Sequence, residues 1–167
     1  MRNDQSSAKI QGGQAWMRNA LAGFIATVPM TLFMLCTQRF LPKGQQYELP
    51  PELLTKEFAH RTHFKSHLNK QQLVALSLVS HFGYGASVGS LYCFLEKRPN
   101  FPAPVKGTLF GLLVWLVSYL GLAPLTGFSE AGQTEPVRRN LMMIAAHVIW
   151  GSALGITATR LVERKGE

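Results

Sequence analysis

Two histidines, His81 and His147, open the same short run in this chain. The first reads His81-Phe82-Gly83-Tyr84-Gly85-Ala86-Ser87-Val88-Gly89. The second follows 66 residues later as His147-Val148-Ile149-Trp150-Gly151-Ser152-Ala153-Leu154-Gly155. Both read His-x-x-aromatic-Gly-small-x-aliphatic-Gly. Imidazole titrates near neutral pH and is the commonest metal ligand. Three roles fit the pair. A neutral histidine can bond a carbonyl or hydroxyl on a neighbouring helix and hold the helices in register, with Ser80, Ser87, Ser118 or Ser152 as partners. Two histidines at matched depth on parallel helices suit axial ligation of a haem b. A histidine path flanked by Tyr84 and Trp150 suits a proton or small solute. His81, Tyr84, His147 and Trp150 are thus a candidate intramembrane polar site.

The glycines of the run have a second use. His81, Gly85 and Gly89 are spaced i, i+4, i+8, as are His147, Gly151 and Gly155, so each set lines one helix face. Gly85/Gly89, Gly107/Gly111 and Gly151/Gly155 are three Gly-x-x-x-Gly pairs. Without side chains, helix backbones approach closely, and van der Waals contact replaces the hydrophobic drive that lipid removes. These six glycines are the expected packing seams, and the histidines on their faces should point into the bundle.

The elements that carry these residues follow from the charge pattern. The 17 Lys and Arg and 9 Asp and Glu leave four charge-free windows, 19–38, 71–95, 107–129 and 140–159. About 20 helical residues match a hydrocarbon core of roughly 30 Å. Four such windows in 167 residues leave too little polar chain to cover them in water. The expectation is an all-α, multi-pass membrane bundle of four spans, at about 19–39, 73–95, 106–122 and 140–162. The net charge of +8 gathers at the window ends, which points to anionic lipid headgroups and not to nucleic acid. Cys36 and Cys93 fall within spans and form no Cys-x-x-Cys motif, so no disulfide or zinc site is indicated.

Residues 1–18 read as a polar tail ending in the interfacial anchors Trp16 and Met17. A signal peptide is rejected, because the first apolar run is too long and lacks a cleavage site. Pro29 should kink the first span, with Thr27 or Thr31 satisfying the freed carbonyls. The loop 40–72 holds a predicted surface helix from Pro50 to His60, with Leu53, Leu54 and Phe58 as its apolar stripe. His60, His63 and His67 follow at helical spacing, but no acid or cysteine completes a metal set, and they read as solvated. Short turns make adjacent helices antiparallel neighbours, so helices 2 and 4 run parallel. Helices 1 and 3 match faintly, residues 22–26 against 110–114. Two helical hairpins related by an axis along the membrane normal follow, a parallel internal repeat. Lys and Arg number nine on the side of the termini and eight on the other. The long loop counts for less, so the termini are expected in the cytoplasm.

No nucleophile elbow, His-Glu-x-x-His or phosphate loop appears, and the spans hold no acid or Ser-Lys dyad. The expectation is no enzyme, no metal and no cofactor, haem b being the alternative. Pro29-Met30-Thr31, Leu49-Pro50-Pro51, Ser80 to Ala86, Gly107 to Gly111 and Ala146 to Gly151 resemble the YagU-like family of uncharacterised bacterial inner-membrane proteins. The resemblance spans about residues 19–162. It implies a small multi-pass protein of the inner membrane and no assigned reaction. The reading is a structural or assembly component, partnered by lipid and by a second copy or another membrane protein.

Overall fold

The computed structural model describes residues 2–40, 69–96, 101–122 and 137–164. Helix α1 runs Arg2–Arg39, α2 Lys70–Ser90, α3 Cys93–Glu96, α4 Ala103–Leu116 and α5 Val137–Glu163. A π-helical segment, Val117–Leu122, continues α4. No strand occurs among the described residues. The expected surface helix at 50–60 and the loop histidines lie outside them.

Local sequence explains most boundaries. Asn69 caps α2 through a reciprocal box: its Oδ1 accepts from Gln72 N–H at 2.9 Å, and Gln72 Oε1 accepts from Asn69 N–H at 2.8 Å. Pro102 precedes α4, and Pro104 occupies its first turn, where the missing donor costs nothing. Helix α2 stops sooner than the expected span to Leu95. Leu91 and Tyr92 switch to i−3 bonds with Val88 and Gly89, both at 3.0 Å, and the chain turns before α3. At the other end α1 reaches back to Arg2 and takes in the residues read as a polar tail. Arg, Gln, Ala and Lys there are good helix formers.

Pro29 lies inside α1 and leaves the carbonyl of Ile25 without its helical donor. The threonines do not answer it. Thr27 Oγ1 donates to Gly23 O at 2.8 Å and Thr31 Oγ1 to Thr27 O at 2.7 Å. Each hydroxyl reaches the carbonyl four residues before its own, and neither of those belongs to Ile25.

Helix α5 packs against both α4 and α1, and α1 packs against α2. The lateral order is therefore α2, α1, α5, α4. Helices α2 and α4 meet only at isolated points. The short turn between them does not make them close neighbours, because α1 and α5 occupy the shared interior.

Large apolar side chains cover the outside of the helices as well as the core, which holds Met30, Met34, Phe110, Trp150 and Leu154. Helix α1 turns Leu21, Phe24, Ile25, Val28, Leu32 and Leu35 outward. It buries Asn19, Ala22, Ala26 and Thr27 at 0–1% exposure. In lipid the large apolar groups belong outside, and small or weakly polar ones let helices close up. Two helical stretches, Gly12–Arg39 and Val137–Glu163, are long and apolar enough to cross a membrane. Helix α4 is apolar but has 14 residues, and α2 has the length but is diluted by His81, Tyr84 and four serines.

The α1–α5 contact centres on Trp150, which is 3% exposed and stacks on Phe110 at 6.1 Å. Its Nε1–H donates to Gly23 O at 3.3 Å. Trp150→Phe keeps the ring packing and loses the donor, so the unfolding free energy should fall by about 0.5–1.5 kcal/mol. Thermal melts in detergent check this.

Candidate functional site

The six predicted glycines occupy two seams. At the α4–α5 seam, a Cβ on Gly107 would strike the carbonyl oxygen of Gly151, and one on Gly151 would strike that of Gly107. A Cβ on Gly111 would meet the carbonyl of His147, and one on Gly155 that of Ala103. At the α1–α2 seam, a Cβ on Gly89 would come within 2.6 Å of Gly23 Cα and 3.0 Å of Asn19 O. A Cβ on Gly85 would collide with Thr27 Oγ1. Bare backbone lies against bare backbone at both places.

The partner surface on α1 was not singled out in the sequence. Gly23 has no small residue four positions away to complete a motif; Thr27 stands there instead. Thr27 donates its hydroxyl to Gly23 O, and that hydroxyl fills the space a Cβ on Gly85 would need. The two seams also correct the faint match between helices 1 and 3. Gly23 meets Gly85 and Gly89 as Gly107 meets Gly151 and Gly155. Asn19 O meets Gly89 as Ala103 O meets Gly155. By these contacts Gly23 is placed like Gly107, whereas the sequence match sets it beside Gly111. The helical period lets a lone small residue slide one turn, and only the contacts decide.

The four polar candidates split between the two copies of the run. His147 is 9% exposed, and its Nδ1 lies 2.8 Å from Met143 O on its own helix. With Nδ1–H donating there, Nε2 carries the free lone pair. His81 is half-buried, and its Nε2 is enclosed with no hydrogen-bond partner. Among the described residues, neither ring bonds a neighbouring helix.

Trp150 is buried, but Tyr84, its counterpart, is 44% exposed. Tyr84 was expected among the inward groups with His81. Its face of α2 looks away from α1 towards α4, which approaches only at the π segment. There Tyr84 Oη and Ser118 Oγ share a hydrogen bond of 2.7 Å. The wider turn of a π-helix re-aims side chains, and Ser118 lies within it. Among the described residues, no three His, Cys, Asp or Glu gather around a common point. A shallow groove of about 420 Å³ lies between α1 and α5 at Phe33, Thr37, Leu141 and Arg138.

Fold and site together define an all-helical protein with two helices long and apolar enough to cross a membrane and two glycine seams. The sequence pattern of a family described as protein of unknown function (DUF1440) matches residues 31–156, and the chain belongs to that family. The matched stretch holds all six seam glycines and all four polar candidates, but begins after Gly23. No curated protein and no solved structure matches the chain.

Substituting alanine at Gly107 or Gly151 should destabilise the fold by about 1–3 kcal/mol, since a backbone atom must give way. Gly12 and Gly13 sit in helix with nothing near, so alanine there should be neutral or stabilise by up to about 1 kcal/mol. Comparing the melting temperatures of the two sets separates seam packing from helix propensity.

Proposed function

We propose that this chain is an integral membrane protein of four spans, built from two helical hairpins, α1–α2 and α4–α5. Its role in this reading is non-enzymatic, a structural or assembly component of a bacterial inner membrane with both termini in the cytoplasm. The single observation that carries it is the side-chain distribution: large apolar groups outward, with glycine, alanine, threonine and asparagine at the helix contacts. The matched contacts of the two seams support the internal repeat. The reading needs no cofactor and no nucleic acid, and its partners are lipid and a second copy or another membrane protein.

Topology reporters fused at either terminus and inserted in the segments 41–68 and 123–136 test it. Both termini should report one face and both insertions the other. Insertions that report the same face as the termini would remove the four-span reading.

One observation favours a second reading, a conduit for protons or a small solute. His81 Nε2 is enclosed and unpartnered. An ionisable group kept inside apolar surroundings without a partner is a site by default. In proteoliposomes, a proton flux through the wild-type protein should fall at least about tenfold in His81→Ala and in His147→Ala, the size of one lost transfer group. Equal flux in all three would reject the histidine path. A visible spectrum after haem supplementation tests the bis-histidine alternative, which predicts a Soret band lost in either variant.

A further inference from the structure

At the end of the bundle where α1 enters its apolar stretch, a cluster of polar groups lies between three helices. Arg18 Nη2 donates to Glu96 Oε2 at 2.6 Å, and Asn19 Nδ2 donates to the same oxygen at 3.0 Å. Asn19 Nδ2 also donates to Ala15 O at 2.9 Å. Lys106 Nζ donates to the backbone carbonyl of Glu96 at 3.0 Å, which ties α4 to the same corner. Tyr92, one helical turn before Glu96, is 1% exposed and Asn19 is 0% exposed.

The hydrogen-bond capacity of this cluster is only half used. Four of its enclosed polar atoms have no partner: Arg18 Nε, Asn19 Oδ1, Tyr92 Oη and Glu96 Oε1. Buried polar atoms are almost always paired, and each orphan costs about 1–3 kcal/mol. Arg18, Asn19 and Glu96 hold three of them in direct contact, and Tyr92 adds the fourth from one turn before Glu96. They are also of both kinds. Arg18 Nε–H and Tyr92 O–H offer protons, whereas Asn19 Oδ1 and Glu96 Oε1 offer lone pairs.

This mixture selects the chemistry of an occupant. A bare anion would satisfy the two donors but face the Glu96 carboxylate. A bare cation would satisfy the two acceptors but face the Arg18 guanidinium. A group that carries an N–H cation and an anionic oxygen a few bonds apart satisfies all four. Its depth assigns the source. Arg18 and Glu96 flank the ends of two charge-free windows, 19–38 and 71–95, which is headgroup level in a membrane-spanning chain. Trp16 and Phe94 stand beside them edge to face at 5.3 Å, both exposed, as interfacial aromatics do. The side chains of Arg18 and Glu96 keep 18% and 13% of their surface exposed, so the cluster borders the outside of the bundle.

We propose that Arg18, Asn19, Tyr92 and Glu96 form a binding site for the headgroup of a primary-amine phospholipid of the ethanolamine type. The ammonium donates to Glu96 Oε1 and Asn19 Oδ1, and the phosphate accepts from Arg18 Nε and Tyr92 Oη. Choline lipids carry the same charges but no N–H, so they fit the donors and leave both acceptors unpaired. The second hairpin has no equivalent. By the seam contacts Asn19 is placed like Ala103, and by the repeated run Glu96 is placed like Val162, so one site per chain is expected. The inference rests on the membrane-spanning reading.

The test uses the full chain in nanodiscs of dioleoyl-phosphatidylcholine, with or without about a third of dioleoyl-phosphatidylethanolamine. Thermal unfolding and native mass spectrometry are the readouts. Expected are a higher melting temperature with the ethanolamine lipid and retention of one such lipid per chain. The preference over choline lipid should be at least about tenfold, the value of one charge-assisted hydrogen bond. Tyr92→Phe leaves the Arg18–Glu96 pair intact, so it should melt as wild type in choline lipid and lose most of the ethanolamine increment. Equal stability in the two lipids would overturn the proposal, leaving the open valences to water. An undiminished increment in Tyr92→Phe would also overturn it, because the lipid would then sit elsewhere. Soluble phosphoethanolamine giving the full increment without the lipid would overturn the assignment to a membrane source. A chain that partitions into the aqueous phase would overturn this and the membrane reading together, whereas a membrane-bound chain without lipid preference fails the headgroup site alone.

Discussion

Everything in this fold depends on backbone meeting backbone at two glycine seams. Where Gly107 faces Gly151 and Gly23 faces Gly89, no side chain separates the helices. The attraction there is short-ranged dispersion, weak per atom pair and dependent on how many pairs come into range. Losing a fraction of an ångström forfeits much of it. The seams therefore fix interhelix distance far more tightly than a leucine-packed contact does. The Trp150 bond to Gly23 O then ties α5 to a main-chain carbonyl of the α1–α2 seam, one that Thr27 also bonds.

Much of this was legible in the sequence, for a physical reason. A glycine seam needs the same residue type every four positions, and a repeat states that need twice. Gly85, Gly89, Gly151 and Gly155 were found this way. Gly23 was not, because the residue four positions on is a threonine, whose hydroxyl lies against Gly85 where a second glycine would otherwise stand. Tyr84 was misplaced because a helical stripe shows which residues share a face but not which neighbour covers it. The Arg18–Glu96 pair was invisible for a different reason: 78 residues separate its members, and each alone looks like an ordinary interfacial charge. Periodicity reports on one helix at a time, so contacts between helices appear only when motif and motif coincide.

The two hairpins share a packing scheme but differ in polarity. The α4–α5 pair meets through apolar and small groups, with a Thr108–Ser152 hydroxyl bond of 2.7 Å across it. The α1–α2 pair has Asn19, Thr27 and Ser77 buried within it and the Arg18–Glu96 cluster at its end. Its histidine lacks a partner where the other has one.

The lateral order α2, α1, α5, α4 has a mechanical consequence. The α1–α5 contact is a spine, with Trp150 fastened to Gly23 along it. The opposite edge, between α2–α3 and α4, carries the Tyr84–Ser118 bond, the Lys106 bond to Glu96 O and the Tyr92–Phe110 ring contact at 5.6 Å. A force that parts the two helix pairs finds that fore-edge first, because breaking these contacts disturbs neither seam. The molecule can open like a book about its spine, each cover moving as a stiff board.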